Sequence, residues 1–152
     1  MTGYELLLFL HVVGTVVWVG GAVVVQVFGA LTQRAADPAQ SAAFGRNSAW
    51  TGTWVFMPAS ALVLVSGALL TEDGSWSWSE PFVLVGLVGW AVVAGVVFGH
   101  VSPTMKRISR RMAQEGPSPE LAARVRSTIL LARVFLGLLF VIVFVMVVKP
   151  GT

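Results

Sequence analysis

The chain has 152 residues, of which 56% are hydrophobic and only 11% charged. Soluble globular domains run at about 45–50% and about 25%, so a water-soluble fold is excluded. The formal charge of +3 would suit nucleic acid, but the cations cluster between apolar runs and no nucleic-acid partner is expected; the absence of cysteine removes disulfides and thiolate chemistry.

Four windows follow one another almost without charge: Leu6 to Thr32, Asn47 to Thr71, Pro81 to Met105, and Ser127 to Val148 with only Arg133 inside it. Each is long enough to cross about 30 Å of hydrocarbon as a helix of roughly 20 residues. The expected fold is all-α, an integral membrane antiparallel four-helix bundle. One domain covers residues 1–152, with spans near 5–31, 49–71, 81–103 and 127–148. The segment before the first window has no basic n-region and the window is too long for a signal-peptide core, so the first span is expected to be retained.

The first span carries His11, one of two histidines, in the stretch HVVGTVVWVGG of residues 11 to 21. At 3.6 residues per turn His11, Thr15, Trp18, Ala22 and Gln26 share a stripe flanked by Gly14 and Gly21, small residues that let a second helix approach. Leu6, Phe9, Val13, Val16 and Val24 lie off that stripe and suit lipid. Histidine in hydrocarbon is costly and points to function. Two readings of His11 stay open: a ligand, or a neutral ring bonded to Thr15 or to a carbonyl of a facing helix. Between spans one and two, Asp37-Pro38 reads as a helix cap, so the second helix is expected to start some turns before the membrane. Pro58 in that helix is expected to kink it, with Ser60 or a neighbouring helix satisfying the freed carbonyl.

Span three repeats the Val-Gly-x-Val-x-Trp pattern of Val13 to Trp18 at Val85 to Trp90, which suggests a duplicated hairpin. It runs from Pro81, so His100 emerges on the order of 15 Å from His11 along the membrane normal and cannot share one iron with it. Ser66, Gly89, Trp90 and residues 140 to 144 are expected at the depth of His11, with Met146 the nearest thioether. Residues 103 to 116 place Lys106, Arg107, Arg110 and Arg111 together. They read either as a short amphipathic helix at anionic headgroups or as a solvated loop. Ser118-Pro119 caps the fourth helix, in which Arg133 can snorkel to the headgroups.

Arg34, Arg46, Arg124 and Arg126 join the cluster at 106 to 111, whereas Glu5, Glu72, Asp73 and Glu80 lie at the opposite ends of the spans. By the positive-inside rule the basic segments face the cytoplasm of a bacterial plasma membrane and both termini lie outside. Tyr4, Trp76 and Trp78 mark one interface; Trp50 and Trp54 mark the other.

His11-x3-Thr15-x2-Trp18-x-Gly20-Gly21, Met57-Pro58 with Gly67, and Val147-Val148-Lys149-Pro150 together resemble a family of small bacterial integral membrane proteins of unassigned activity. That family is distantly similar to the CopD membrane domain and to HemJ-type protoporphyrinogen oxidases. The resemblance implies the same four-helix fold and tetrapyrrole binding, with His11 as the matching ligand position. The chain departs from the oxidases where they carry a second histidine after the first span (here VFGALTQR), a lysine opening the third (SWSEPFVLVG) and Arg-x-x-Asn-Glu in the fourth, of which Arg133 alone remains. The expected site is thus His11, Thr15, Trp18 and Trp90, with His11 the metal ligand and b-type haem the cofactor. The expected role is redox or haem handling. The rival expectation is a non-catalytic accessory subunit or small transporter component with His11 a structural residue. The bilayer is the expected partner, with a second copy or another membrane protein as candidates.

Overall fold

Each helix begins where the sequence supplies a cap. In the computed structural model, which describes residues 2–35, 37–74 and 76–150, the Thr2 hydroxyl accepts from the Glu5 N–H (3.3 Å) while the Glu5 carboxylate accepts from the Thr2 N–H (2.8 Å). This reciprocal box opens α1 (Gly3–Ala35). The Asp37 carboxylate accepts from the N–H groups of Ala39 (2.8 Å) and Gln40 (3.4 Å) and opens α2 (Ala39–Asp73). Helix α3 (Pro81–Glu115) has proline in its first turn, and α4 (Pro119–Val148) is capped by Ser118, whose hydroxyl accepts from Leu121 N–H at 3.2 Å. Gly116 stops α3 at φ 81°, a conformation that costs glycine nothing. Both caps expected at Asp37 and Ser118 are where the sequence put them.

These helices hold 30 to 35 residues. At 1.5 Å per residue they are about 45–52 Å long, well beyond the ~30 Å of hydrocarbon. The surplus lies at one end, called here the basic end because Arg34, Arg46, residues 106 to 111, Arg124 and Arg126 sit there. The opposite end, with Tyr4, the 74–80 turn and Lys149, is the terminal end.

Residues 103 to 116 differ from both readings of the sequence. They are neither a separate surface helix nor a loop but the direct continuation of α3, packed against the first turns of α2 and α4. The reason is visible in the spacing. With Lys106, Arg107, Arg110 and Arg111 exposed, Met105, Ile108 and Met112 fall on the other side, and Ile108 is buried. A bidentate pair joins Arg111 to Glu115 (3.0 and 3.2 Å), and Glu120 of α4 receives Arg124 at 3.2 Å and Arg111 at 4.0 Å. The last contact ties α3 to α4 across their connecting turn.

Helix α1 packs along α2 and α3 along α4, so the bundle is two antiparallel pairs. Gly14 lets the first pair close: a Cβ there would lie 3.0 Å from Val63 Cγ2 and 3.2 Å from the Ala59 carbonyl. Gly86, its counterpart in the repeated motif, faces Met146 of α4 in the same way. The pairs meet at mid-height, where Trp18, Val19, Ala59, Val93, Ala94 and Leu139 form the buried core.

Three helices carry a π-helical turn: Val16–Gly20 in α1, Gly52–Phe56 in α2 and Val97–Val101 in α3. Two of them immediately precede proline. Pro58 has no N–H for the carbonyl four residues back, and the wider turn before it absorbs the defect, with Met57 N–H bonding Gly52 carbonyl. The same arrangement precedes Pro103, where Ser102 N–H bonds Val97 carbonyl. The anticipated kink at Pro58 is thus a widened turn within one continuous helix. Ser60 does not serve the freed carbonyl: its hydroxyl donates to the Met57 carbonyl at 3.1 Å, one residue before the proline.

Candidate functional site

The inward stripe of α1 is as the spacing predicts. Trp18 is buried, His11, Thr15, Ala22 and Gln26 are half-buried, and Leu6, Phe9, Val13, Val16 and Val24 face outward. The His11 ring crosses to α2, where Nδ1 lies 3.0 Å from the Val63 carbonyl and 3.2 Å from Ser66 Oγ. A carbonyl can only accept, so Nδ1 carries the proton. The Ser66 hydroxyl spends its own hydrogen on the Leu62 carbonyl and is left to accept as well. Thr15 does not touch the ring through its hydroxyl; it donates to the His11 main-chain carbonyl at 2.8 Å.

Room for the imidazole comes from Gly67. A Cβ at that position would stand 3.0 Å from Cε1 and 3.3 Å from Nδ1 of His11. This gives physical content to the glycine that accompanies Met57-Pro58 in the sequence motif.

With Nδ1 committed, the neutral ring leaves Nε2 as a bare acceptor, the form in which histidine binds a metal. Nε2 makes no hydrogen bond to any described residue. Every fully buried side-chain nitrogen or oxygen among the described residues has a partner, so Nε2 is reached from open space rather than walled in.

That space is a cavity of about 450 Å³ between the two helix pairs at the terminal end, lined by His11, Thr15, Trp18, Trp90, Met146 and apolar residues of all four helices. Its size falls within the roughly 300–1,000 Å³ of small-molecule sites. Its lining is mostly apolar, so a guest would meet dispersion contacts more than hydrogen-bond partners. Trp90 braces one wall, donating its indole N–H to the Ser60 carbonyl at 2.9 Å. Trp18 closes the floor. It is 4% exposed, its N–H donates to no described residue, and it also lines a second cavity of about 160 Å³ toward the basic end, which all three π-helical turns border. At the mouth Trp76 meets Phe82 edge-on at 5.2 Å between centroids, and the Lys149 ammonium stands 4.5 Å from the Trp76 ring centre.

The four expected site residues therefore line one cavity, together with Met146. Ser66 is at the level expected for it, but Phe140 and Phe144 point outward; Ile142 and Met146 occupy the wall instead. The reason is helical phase, since 142 and 146 are one turn apart while 140 and 144 share the opposite side. His100 is exposed in the π-helical turn of α3 and lines neither cavity, and Arg133 is exposed on α4. Among the described residues no group of three or more His, Cys, Asp or Glu could hold a metal ion. The contribution of Val63 was not legible beforehand, because its main-chain carbonyl carries no side-chain signal.

Four membrane-length apolar helices define a polytopic helical membrane protein, and the largely apolar cavity they border has His11 inside it with Tyr4 and Lys149 also in its lining. The family is recognised directly. Residues 5–150 match the model of the family described as "Predicted integral membrane protein (DUF2269)", and the chain belongs to that family. No curated protein and no solved structure matches it.

Proposed function

We propose that this membrane protein binds b-type haem in the terminal-end cavity, where His11 Nε2 would hold it, and acts in redox chemistry or haem handling. The observation that carries the reading is the Nδ1–H bond from His11 to the Val63 carbonyl, which leaves Nε2 bare at the cavity. The donor set narrows the ligand further. One imidazole without neighbouring carboxylates, thiolates or a second histidine cannot retain a bare divalent cation; it suits a metal whose equatorial positions are already filled by a macrocycle. When bound, the group would supply a one-electron couple at its iron.

The chain's own residues do the positioning. Val63 and Ser66 fix the ring and its tautomer, and Gly67 admits it. Trp18 and Trp90 offer flat apolar walls, Thr15 flanks His11 on the same helix, and Met146 offers a weak thioether on the facing wall. A second reading draws on the same bond. The Nδ1 contact joins α1 to α2, as a purely structural histidine in an accessory subunit would.

The visible spectrum of the detergent-solubilised protein titrated with haemin separates the two. A Soret band that is lost or shifted in His11→Ala supports ligation. No band, or one indifferent to the substitution, leaves His11 a structural residue. We further propose a plasma-membrane location with the terminal end outside, supported by the crowding of cations at the opposite end.

A further inference from the structure

The terminal-end cavity has a side entrance. Three of its lining residues on α1, Leu8, Val12 and Val16, are also 44%, 50% and 64% exposed on the outside of the bundle, and they repeat every four residues along one edge. Across from them on α4 run Val143 and Val147, again four apart and lining the same cavity, with Val147 76% exposed. Toward this end α1 packs on α2 and α4 on α3, so α1 and α4 border a gap rather than a contact. All five residues belong to the apolar helices that cross the bilayer, so what stands outside this gap is hydrocarbon.

We propose that this slot between α1 and α4 is a lateral entrance and that a hydrocarbon chain of a lipid from the terminal-side leaflet lies through it, filling the cavity as far as Trp18. Three observations fix the occupant. The walls are mostly apolar with few and scattered polar groups, which favours hydrocarbon over water. The cavity is too large for neighbouring side chains to collapse into. The slot edges are Leu and Val, offering dispersion contacts to a methylene chain and no partner to a polar headgroup. A lipid chain is also present at the entrance without any encounter step. In the protein without haem the cavity is therefore a lipid-tail site reached from within the membrane, which goes beyond the haem reading and does not depend on it; haem and the chain would occupy the same space in turn. A ligand that reaches His11 through this slot must be soluble in hydrocarbon.

The absence of polar demands makes the test simple, and no haem is used. Trp50, Trp54, Trp76, Trp78 and Trp90 are replaced by Phe, leaving Trp18 as the sole fluorophore, and the protein is reconstituted in phosphatidylcholine vesicles with or without bromine atoms near the chain ends. The reference is a tryptophan placed at Val134, which is 61% exposed on α4 at the same distance from the terminal end, with all six native tryptophans changed to Phe. Bromine quenches by contact. Although Trp18 is only 4% exposed, it is expected to be quenched as strongly as the Val134→Trp reference. Quenching of the reference with none of Trp18 would overturn the proposal. In the second arm Val12→Phe and Val143→Phe narrow the slot and are expected to protect Trp18 while leaving the reference quenched. Quenching of Trp18 that survives the narrowing would remove the slot as the route. Outward-facing Val134→Phe serves as the control for folding, because it adds the same bulk to lipid-exposed surface away from the slot.

Discussion

The two ends of the bundle solve opposite problems with the same four helices. At the basic end the chain leaves the hydrocarbon, and Ile108 and Leu121 are buried while Arg111, Glu115, Glu120 and Arg124 form an exposed ion-pair network. At the terminal end, inside the hydrocarbon, the helix pairs separate around a cavity of about 450 Å³ whose polar anchor is His11. Where water is available, charges can stay exposed around a small apolar contact such as Ile108 and Leu121; where it is not, small residues and main-chain carbonyls take over. The close contacts of the terminal half accordingly sit at Gly14 and Gly67, and its bonds run from a side chain to a carbonyl of another helix.

If that contrast is right, the terminal half should be sensitive to bulk and the basic end insensitive to charge. Gly14→Leu is expected to have the largest effect, about 3 kcal/mol, because it forces α1 off Val63 and the Ala59 carbonyl. Thermal unfolding in detergent would check it, and an unchanged midpoint would refute the close approach of α1 and α2. His11→Ala should follow at about 1–3 kcal/mol, through loss of the bond to Val63 and the enlarged cavity. Trp90→Phe removes the N–H that meets the Ser60 carbonyl together with part of the ring at the cavity wall, and should cost about 1 kcal/mol. Glu120→Gln breaks both of its ion pairs at the basic end and should leave the midpoint unchanged at any salt concentration, since both partners are largely exposed. A measurable loss there would make the ion pairs, rather than Ile108 and Leu121, what holds that end together. Orientation is tested with single cysteines in this cysteine-free chain. A thiol at Ser79 should react with an impermeant maleimide added to intact cells, and one at Gln114 should not.

Much of this was legible because membrane spans announce themselves by composition and helix faces by period. The α1 stripe from His11 to Gln26, the caps at Asp37 and Ser118, and the separation of His11 from His100 all follow from spacing. Three features did not. The fate of residues 103 to 116 depended on whether Ile108 would meet lipid or protein, and amphipathicity is the same in both cases. Residues 140 to 144 were placed by depth alone, and depth does not give helical phase: Ile142 of that range and Met146 face the cavity, while Phe140 and Phe144 face outward. The hydrogen-bond partner of His11 is a main-chain atom of Val63, and no side-chain pattern encodes it.

The π-helical turns have a consequence for how this chain could have arisen and could be altered. Each such turn holds one residue more than the surrounding α-helix needs, so it is an insertion accommodated without a break. Deleting Val17 would let α1 heal into regular helix with its two halves keeping nearly their present rotation, because the π-turn spends its extra residue on the same full turn. His11 and Gln26 would still share one face. The same deletion outside Val16–Gly20 would turn everything beyond it by about 100°, the angle of a single residue.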